Sequence, residues 1–134
     1  MFTLQQIKAA HAKVKSGADF PAYVQNIKSL GLLHYDFMVK DGRTVYHGAN
    51  GFRISSDPIY AEKIISAQPS PAVVRQIIAE HQQGKSDFIT FCSLVADAGV
   101  EKWVVDTRGM ACTYYDMSGN SMITEPIPEA GYSS

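Results

Sequence analysis

Residues 19–59 read DFPAYVQNIKSLGLLHYDFMVKDGRTVYHGANGFRISSDPI, and residues 87–127 read DFITFCSLVADAGVEKWVVDTRGMACTYYDMSGNSMITEPI. The two stretches align without a gap at a shift of 68 residues. Glycines, aromatic residues and a final acid-Pro-Ile triplet share positions, for example Gly31 with Gly99 and Tyr46 with Tyr114. Self-similarity over this length predicts an internal duplication.

Each copy predicts two short helices followed by three strands. The apolar stripe of the second helix is Phe20, Val24, Ile27 and Leu30. That spacing is helical, and Gly31 follows as the residue that ends the helix. In the second copy Asp87 is predicted to cap the equivalent helix and Gly99 to end it. Both glycines are therefore expected to adopt the left-handed conformation.

A hairpin follows in each copy, because the apolar period changes from helical to two. Asp41-Gly42 predicts a two-residue turn, which would pair Phe37 with Tyr46 and Asp36 with His47. The turn of the second hairpin is expected at Gly109-Met110. The predicted core faces are Leu33, Tyr35, Phe37, Val39, Thr44 and Tyr46, then Trp103, Val105, Thr107, Cys112 and Tyr114.

The two halves are expected to share one core, since neither could bury its strands alone. The predicted fold is a single α+β domain over 1–134, built as a pseudo-two-fold duplication of a helix-helix-three-strand unit. The repeats would span 1–68 and 69–128, with helices on one side of a twisted antiparallel sheet or half-barrel. Asp57-Pro58 predicts a further helix over 59–67. Residues 129–134 are expected to form a flexible tail.

Composition narrows the classes of partner. Twelve basic and 13 acidic residues give a net charge of −1, which argues against a nucleic-acid partner. No stretch approaches the roughly 18 apolar residues that cross a bilayer, and no signal peptide is evident, so a cytoplasmic protein is expected. Cys92 and Cys112 lie in apolar patterns and are expected to be reduced structural thiols. Nucleophile, phosphate-loop and zinc-spacing motifs are absent, so no cofactor is predicted.

The layout also carries a resemblance to a known family. Residues 31–48 read GLLHYDFMVKDGRTVYHG after two short helices, and their echo precedes EPIP at 125–128. This pattern resembles the YbcV/YdfO-like bacterial domain of unknown function, whose members are sometimes labelled phage envelope proteins. The resemblance covers essentially the whole chain. It implies a pseudosymmetric α+β fold and a bacterial or prophage origin, but no activity and no site residues.

His34, Asp36 and His47 are the most suggestive polar group in the sequence. Strand alternation places His34 and Asp36 on one face, and the predicted hairpin sets His47 opposite Asp36. Two imidazoles and a carboxylate at this spacing could bind a divalent metal or form a His-Asp pair for general-base chemistry. The alternative interpretation is a polar, solvent-facing side of the sheet.

A second group is basic: Lys40, Arg43, Arg53 and Arg108. Lys40 and Arg108 occupy matching hairpin ends in the two copies, so an anion held between the halves could contact both. The alternative is that these side chains serve solubility and protect the sheet edges.

These observations favour a non-catalytic binding module for a small ligand or a protein, present as a monomer or homodimer. A pseudo-two-fold arrangement would form a concave seam where matching residues converge. The alternatives are a phage-related structural or interaction protein and a metal-dependent enzyme that uses His34, Asp36 and His47.

Overall fold

The computed structural model describes residues 2–14 and 19–127. These residues form four α-helices and one six-stranded sheet. The elements are α1 (Leu4–His11), α2 (Phe20–Ser29), β1 (Leu32–Met38), β2 (Thr44–Gly48), a 3-10 turn (Ala49–Gly51), β3 (Arg53–Ser55), α3 (Pro71–Gln82), α4 (Phe88–Asp97), β4 (Lys102–Asp106), β5 (Ala111–Tyr115) and β6 (Ser121–Pro126). The predicted α+β class is confirmed. The predicted tail over 129–134 lies outside the described residues.

The sheet is antiparallel throughout, with the strand order β3-β2-β1-β4-β5-β6. β1 and β4 form its central pair, and Asp36 lies opposite Val104 there. These two residues also match in the sequence alignment, so equivalent strands are arranged symmetrically about this pair. The arrangement agrees with an internal duplication, which stays a prediction.

Side-chain hydrogen bonds cap the starts of α1 and α4. Thr3 and Gln6 form a reciprocal capping box at α1. The carboxylate of Asp87 accepts the Thr90 amide proton at 2.7 Å and so caps α4. The predicted left-handed conformations are confirmed, with φ of 101° at Gly31 and 94° at Gly99. Gly31 lies directly before β1, and Gly99 lies three residues before the first residue of β4.

The core lies between the helices and one face of the sheet. At its centre the ring of Trp103 stacks on Phe37 at 4.3 Å and contacts Phe91 edge-on at 5.6 Å. The predicted core residues Tyr35, Phe37, Trp103, Val105 and Tyr114 are buried, and Tyr46 packs against them half-buried. A bulge near the start of β1 buries Leu32 instead of the predicted Leu33.

The predicted turn of the first hairpin is wrong. The connection between β1 and β2 spans residues 39–43, and the Gly42 amide donates to the Met38 carbonyl at 2.8 Å. Tyr46 consequently lies opposite Tyr35 rather than Phe37, a register shift of two residues. Because the shift is even, the paired side chains beyond the bulge at Leu33 keep their predicted faces.

The longer turn has a tertiary cause. Val39 does not pair within the hairpin. Its amide donates to the carbonyl of Glu101, just before β4, and the side chain of Val39 is fully buried. In the second hairpin Thr107 leaves the ladder similarly, and its hydroxyl donates to the Leu32 carbonyl at 2.7 Å. The predicted turn at Gly109-Met110 is therefore only part of a loop over 107–110.

The predicted helix over 59–67 is also wrong, because residues 56–70 form an irregular connector. Its backbone groups bond to distant elements instead of to each other. The Lys63 amide donates to the Lys40 carbonyl at 2.7 Å, and the Ser66 amide donates to the Ala96 carbonyl at 3.0 Å. The Tyr60 hydroxyl donates to the Val39 carbonyl at 2.6 Å. These bonds tie the connector to both halves of the chain.

Among the described residues, no helix has both the length and the apolar character needed to cross a bilayer.

Both cysteines are free, and both are expected to be unreactive in the folded protein. Burial raises the pKa of Cys92 to about 11 and that of Cys112 to about 12. Alkylation by iodoacetamide at pH 7.5 should therefore be more than about 100-fold slower than that of free cysteine, since only the thiolate reacts. Mass spectrometry checks this, with denatured protein as the control. Rapid alkylation of either thiol in the native protein would contradict the packing described.

Candidate functional site on the uncovered face of the sheet

One face of the sheet is not covered by the helices, and we call it the uncovered face. Strand pairing places its side chains in rows that run across the sheet. The first row is Arg53, His47, His34, Asp106, Ala111 and Pro126. The second row is Ser55, Val45, Asp36, Val104, Thr113 and Thr124. The two rows therefore combine polar and small apolar residues over an extended surface.

His34, Asp36 and His47 meet near the centre of the uncovered face, and we call them the His-Asp-His cluster. His47 Nε2 lies 3.2 Å from Asp36 Oδ2. The rings of His34 and His47 stack, with their centroids 4.1 Å apart and their planes 14° apart. One candidate ligand atom from each residue lies within 4.8 Å of the other two. The sequence thus predicted the group that the structure brings together.

The contacts inside the cluster differ in one respect from the predicted ones. His47 lies directly opposite His34, whereas Asp36 lies opposite Val45. The His47–Asp36 contact is therefore diagonal across the strand pair. The two-residue register shift of the hairpin produces this change, and it also creates the stack of the two imidazole rings, which the sequence did not predict.

The surroundings of His34 favour its neutral form. Burial and the neighbouring His47 lower its pKa, and Arg108 acts in the same direction. The carboxylates of Asp36 and Asp106 oppose this shift without cancelling it. A neutral imidazole keeps one ring nitrogen free to accept a proton or bind a cation.

Asp106 is a neighbour of the cluster that sequence reasoning missed. It lies opposite His34, but its Oδ1 accepts amide protons from Arg108 at 2.9 Å and Gly109 at 3.3 Å. Burial opposes ionisation, yet these hydrogen bonds and the charge of Arg108 hold the pKa of Asp106 below its usual range. The pairing of β1 with β4 was needed to find it. The one signal in the sequence was the alignment of Asp36 with Val104. If β1 and β4 pair about these two residues, Asp106 lies opposite His34.

The structure does not bring the four basic candidates together. Lys40 follows the end of β1 and pairs with Glu62 at 3.6 Å, with both side chains exposed. Arg108 follows β4 at the opposite end of the central strand pair. The two ends of the strand pair lie about 13 Å apart, which is the length of a strand from His34 to Met38 at the usual rise per residue. Arg43 lies in the β1–β2 loop, and only Arg53 shares a row with the cluster.

Two cavities in the described part of the chain lie among the helices, away from the cluster. A groove of about 360 Å³ is lined by residues of α3 and α4, including Val73, Glu80 and Leu94. A smaller one of about 100 Å³ is lined by α1 and α2 with their connection, including Ala10 and Tyr23. Neither cavity is lined by matching residues from the two repeats, so neither forms the predicted seam.

Comparison with known proteins identifies a relative and a family for this chain. The uncharacterised protein YcgX of Escherichia coli (strain K12) is 32% identical over 63 residues. That alignment covers 47% of this chain and 47% of YcgX, so the chain matches about half the length of this curated relative. The model of a protein family of unknown function, DUF1398, matches residues 8–126. The chain therefore belongs to the DUF1398 family.

Proposed function

We propose that this protein is a non-catalytic binding module whose binding surface is the uncovered face of the sheet. The observation that carries the proposal is the His-Asp-His cluster at the centre of that face. The cluster lies in rows that also hold Arg53, Asp106 and Val104. Charged, imidazole and apolar groups on one extended surface provide several kinds of contact to a partner.

The solvent exposure of this face favours binding over catalysis. The side chains of His47 and Asp36 are 23% and 19% exposed, so they are accessible from solvent. The cavities described above lie on the helical side and do not enclose the cluster. Enzyme sites and small-molecule sites are usually concave and bury most of their ligand. A solvent-accessible sheet face suits a protein partner or a single ion better than an enclosed substrate.

A matched pair of substitutions tests the proposal. Val104→Arg places a large charge beside Asp36 at the centre of the uncovered face, and Val73→Arg places the same charge in the groove of α3 and α4. Candidate ligands and purified partner proteins would be screened by thermal shift, and hits mapped by amide chemical-shift changes. We expect the changes to fall on the rows of the uncovered face. Val104→Arg should abolish binding, whereas Val73→Arg should retain it.

Two outcomes would contradict the proposal. One is a ligand whose chemical-shift changes map to α3 and α4 and whose binding is lost in Val73→Arg. The other is a broad panel that yields no stabilising ligand, together with pull-downs that yield no partner.

The second candidate is a metal-dependent enzyme that uses His34, Asp36 and His47. The three donor groups support it, because catalytic zinc sites commonly use three protein ligands and keep a position for water. Zinc-loaded protein would be assayed on activated ester and phosphodiester substrates. Turnover that is lost in His47→Ala would support this candidate. Equal turnover by the variant would exclude it.

We further propose a bacterial setting, with the cytoplasm as the compartment because both described thiols are unpaired. A phage-related structural role would require assembly with itself or with other proteins. Gel filtration at low micromolar concentration tests self-assembly, since a purely monomeric elution would count against it.

A further inference from the structure

We propose that the His-Asp-His cluster binds one divalent transition-metal ion, with His34, Asp36 and His47 as its protein ligands. This inference rests on the proposed function, because it names a ligand for the centre of the uncovered face. Nothing in the family description or the matched relative assigns a metal to this chain.

The donor atoms already approach the separation that a metal requires. Bonds of about 2.0–2.2 Å from zinc to nitrogen and oxygen put two ligand atoms of a tetrahedral site roughly 3.3–3.5 Å apart. His47 Nε2 and Asp36 Oδ2 are 3.2 Å apart. A cation can thus lie between these two atoms with little movement of either side chain.

His34 supplies the third ligand after a rotation of its side chain. The three candidate ligand atoms lie within 4.8 Å of one another, a looser limit than the separation of about 3.3–3.5 Å in a tetrahedral site. Because the rings of His34 and His47 stack, their in-plane lone pairs lie in two separate, nearly parallel planes and do not point at one common ion. Metal binding therefore turns the His34 ring out of the stack. Space for this movement exists because the face is not covered by helices.

The chemistry of the donors selects the class of metal. Two imidazoles and one carboxylate suit zinc, cobalt, nickel, copper or ferrous iron. Magnesium and calcium prefer shells made of oxygen, which this cluster does not offer. Three protein ligands also leave positions for water or for a donor group of a partner.

The site occurs in one half of the chain. Lys102, Val104 and Tyr115 occupy the positions that match His34, Asp36 and His47 in the alignment. None of these three combines with its neighbours into an equivalent donor set. We therefore expect one ion per chain.

Isothermal titration of the full chain with zinc chloride tests the inference. We expect saturable binding with a stoichiometry of one. His34→Ala, Asp36→Asn and His47→Ala should each weaken binding by at least about tenfold, because even supporting residues around a metal contribute that much. His11→Ala is the matched control, because His11 is exposed on α1. The zinc affinity of this variant should equal that of the unmodified protein. Asp36→Asn keeps the shape of the side chain, so it separates lost ligation from lost folding.

Imidazole proton resonances give a second measurement that does not depend on affinity. With cobalt chloride, the signals of His34 and His47 should show large paramagnetic shifts, whereas those of His11 and His81 should not. Absence of saturable zinc binding would overturn the metal inference and leave the wider binding-surface proposal to its own test. An equal loss of affinity in His11→Ala, or equal cobalt shifts on all four histidines, would overturn it as well.

Discussion

Replacement of Tyr114 by alanine is expected to lower the free energy of unfolding by about 3–5 kcal/mol, the usual cost of deleting a core aromatic side chain. Tyr114 is only 7% exposed, and its ring lies 5.7 Å from that of Trp103. The alanine variant would leave a cavity beside the largest aromatic group of the core. Urea denaturation followed by tryptophan fluorescence measures the loss, because Trp103 is the single tryptophan of the chain.

The next residue provides a control of equal size. Tyr115 is half-buried and points to the uncovered face, where the Lys102 ammonium lies 5.6 Å from its ring centre. Tyr115→Ala should cost less than about 1 kcal/mol, since it opens no core cavity. Equal losses in the two variants would contradict the assignment of faces. They would indicate that the uncovered face is buried in solution, for example between two copies of the chain.

Gly99→Ala is expected to destabilise the protein by about 2–5 kcal/mol, from two additive causes. The left-handed φ of 94° strains any residue that has a Cβ atom. The added Cβ would also lie 2.5 Å from the Cα atom of Pro69, which is backbone and cannot rotate away. The connector would have to move from the end of α4, where Ser70 donates to the Ala98 carbonyl.

Gly31→Ala is the matched control for the second cause. Gly31 has a similar φ of 101°, but nothing lies within 4 Å of the position that its Cβ would occupy. Only the backbone strain of about 1–2 kcal/mol should therefore appear. Thermal and urea denaturation of both variants give the comparison. If Gly31→Ala were as damaging as Gly99→Ala, the contact with Pro69 would not be the cause.

Local features of this fold were readable from the sequence because each depends on a few adjacent residues. The capping of α4 by Asp87 and the left-handed turns at Gly31 and Gly99 are of this kind. The faces of the strands were also readable, because successive side chains point to opposite faces. A register error of an even number of residues therefore leaves each side chain on its predicted face. For that reason His34 and Asp36 were assigned to the correct face even though the predicted hairpin register was wrong.

Features set by long-range contacts were not readable. The Asp41-Gly42 pair predicts a tight turn, but burial of Val39 and its bond to Glu101 draw two more residues of β1 into the loop. Asp57-Pro58 resembles a helix start, yet partners from both halves satisfy the backbone of the connector. The stack of His34 on His47 and the approach of Asp106 depend on the same long-range pairings.

The origin of the three donor groups has a consequence for the order of folding. His34, Asp36 and His47 all belong to the β1–β2 hairpin, whose paired residues are close in sequence. By contrast, β1 and β4 join segments that are about 70 residues apart, so their pairing carries a much larger loop-closure entropy. The hairpin can form before the sheet is completed. The donors would then meet in a nascent chain, while Asp106 and Arg108 arrive only when the two halves dock.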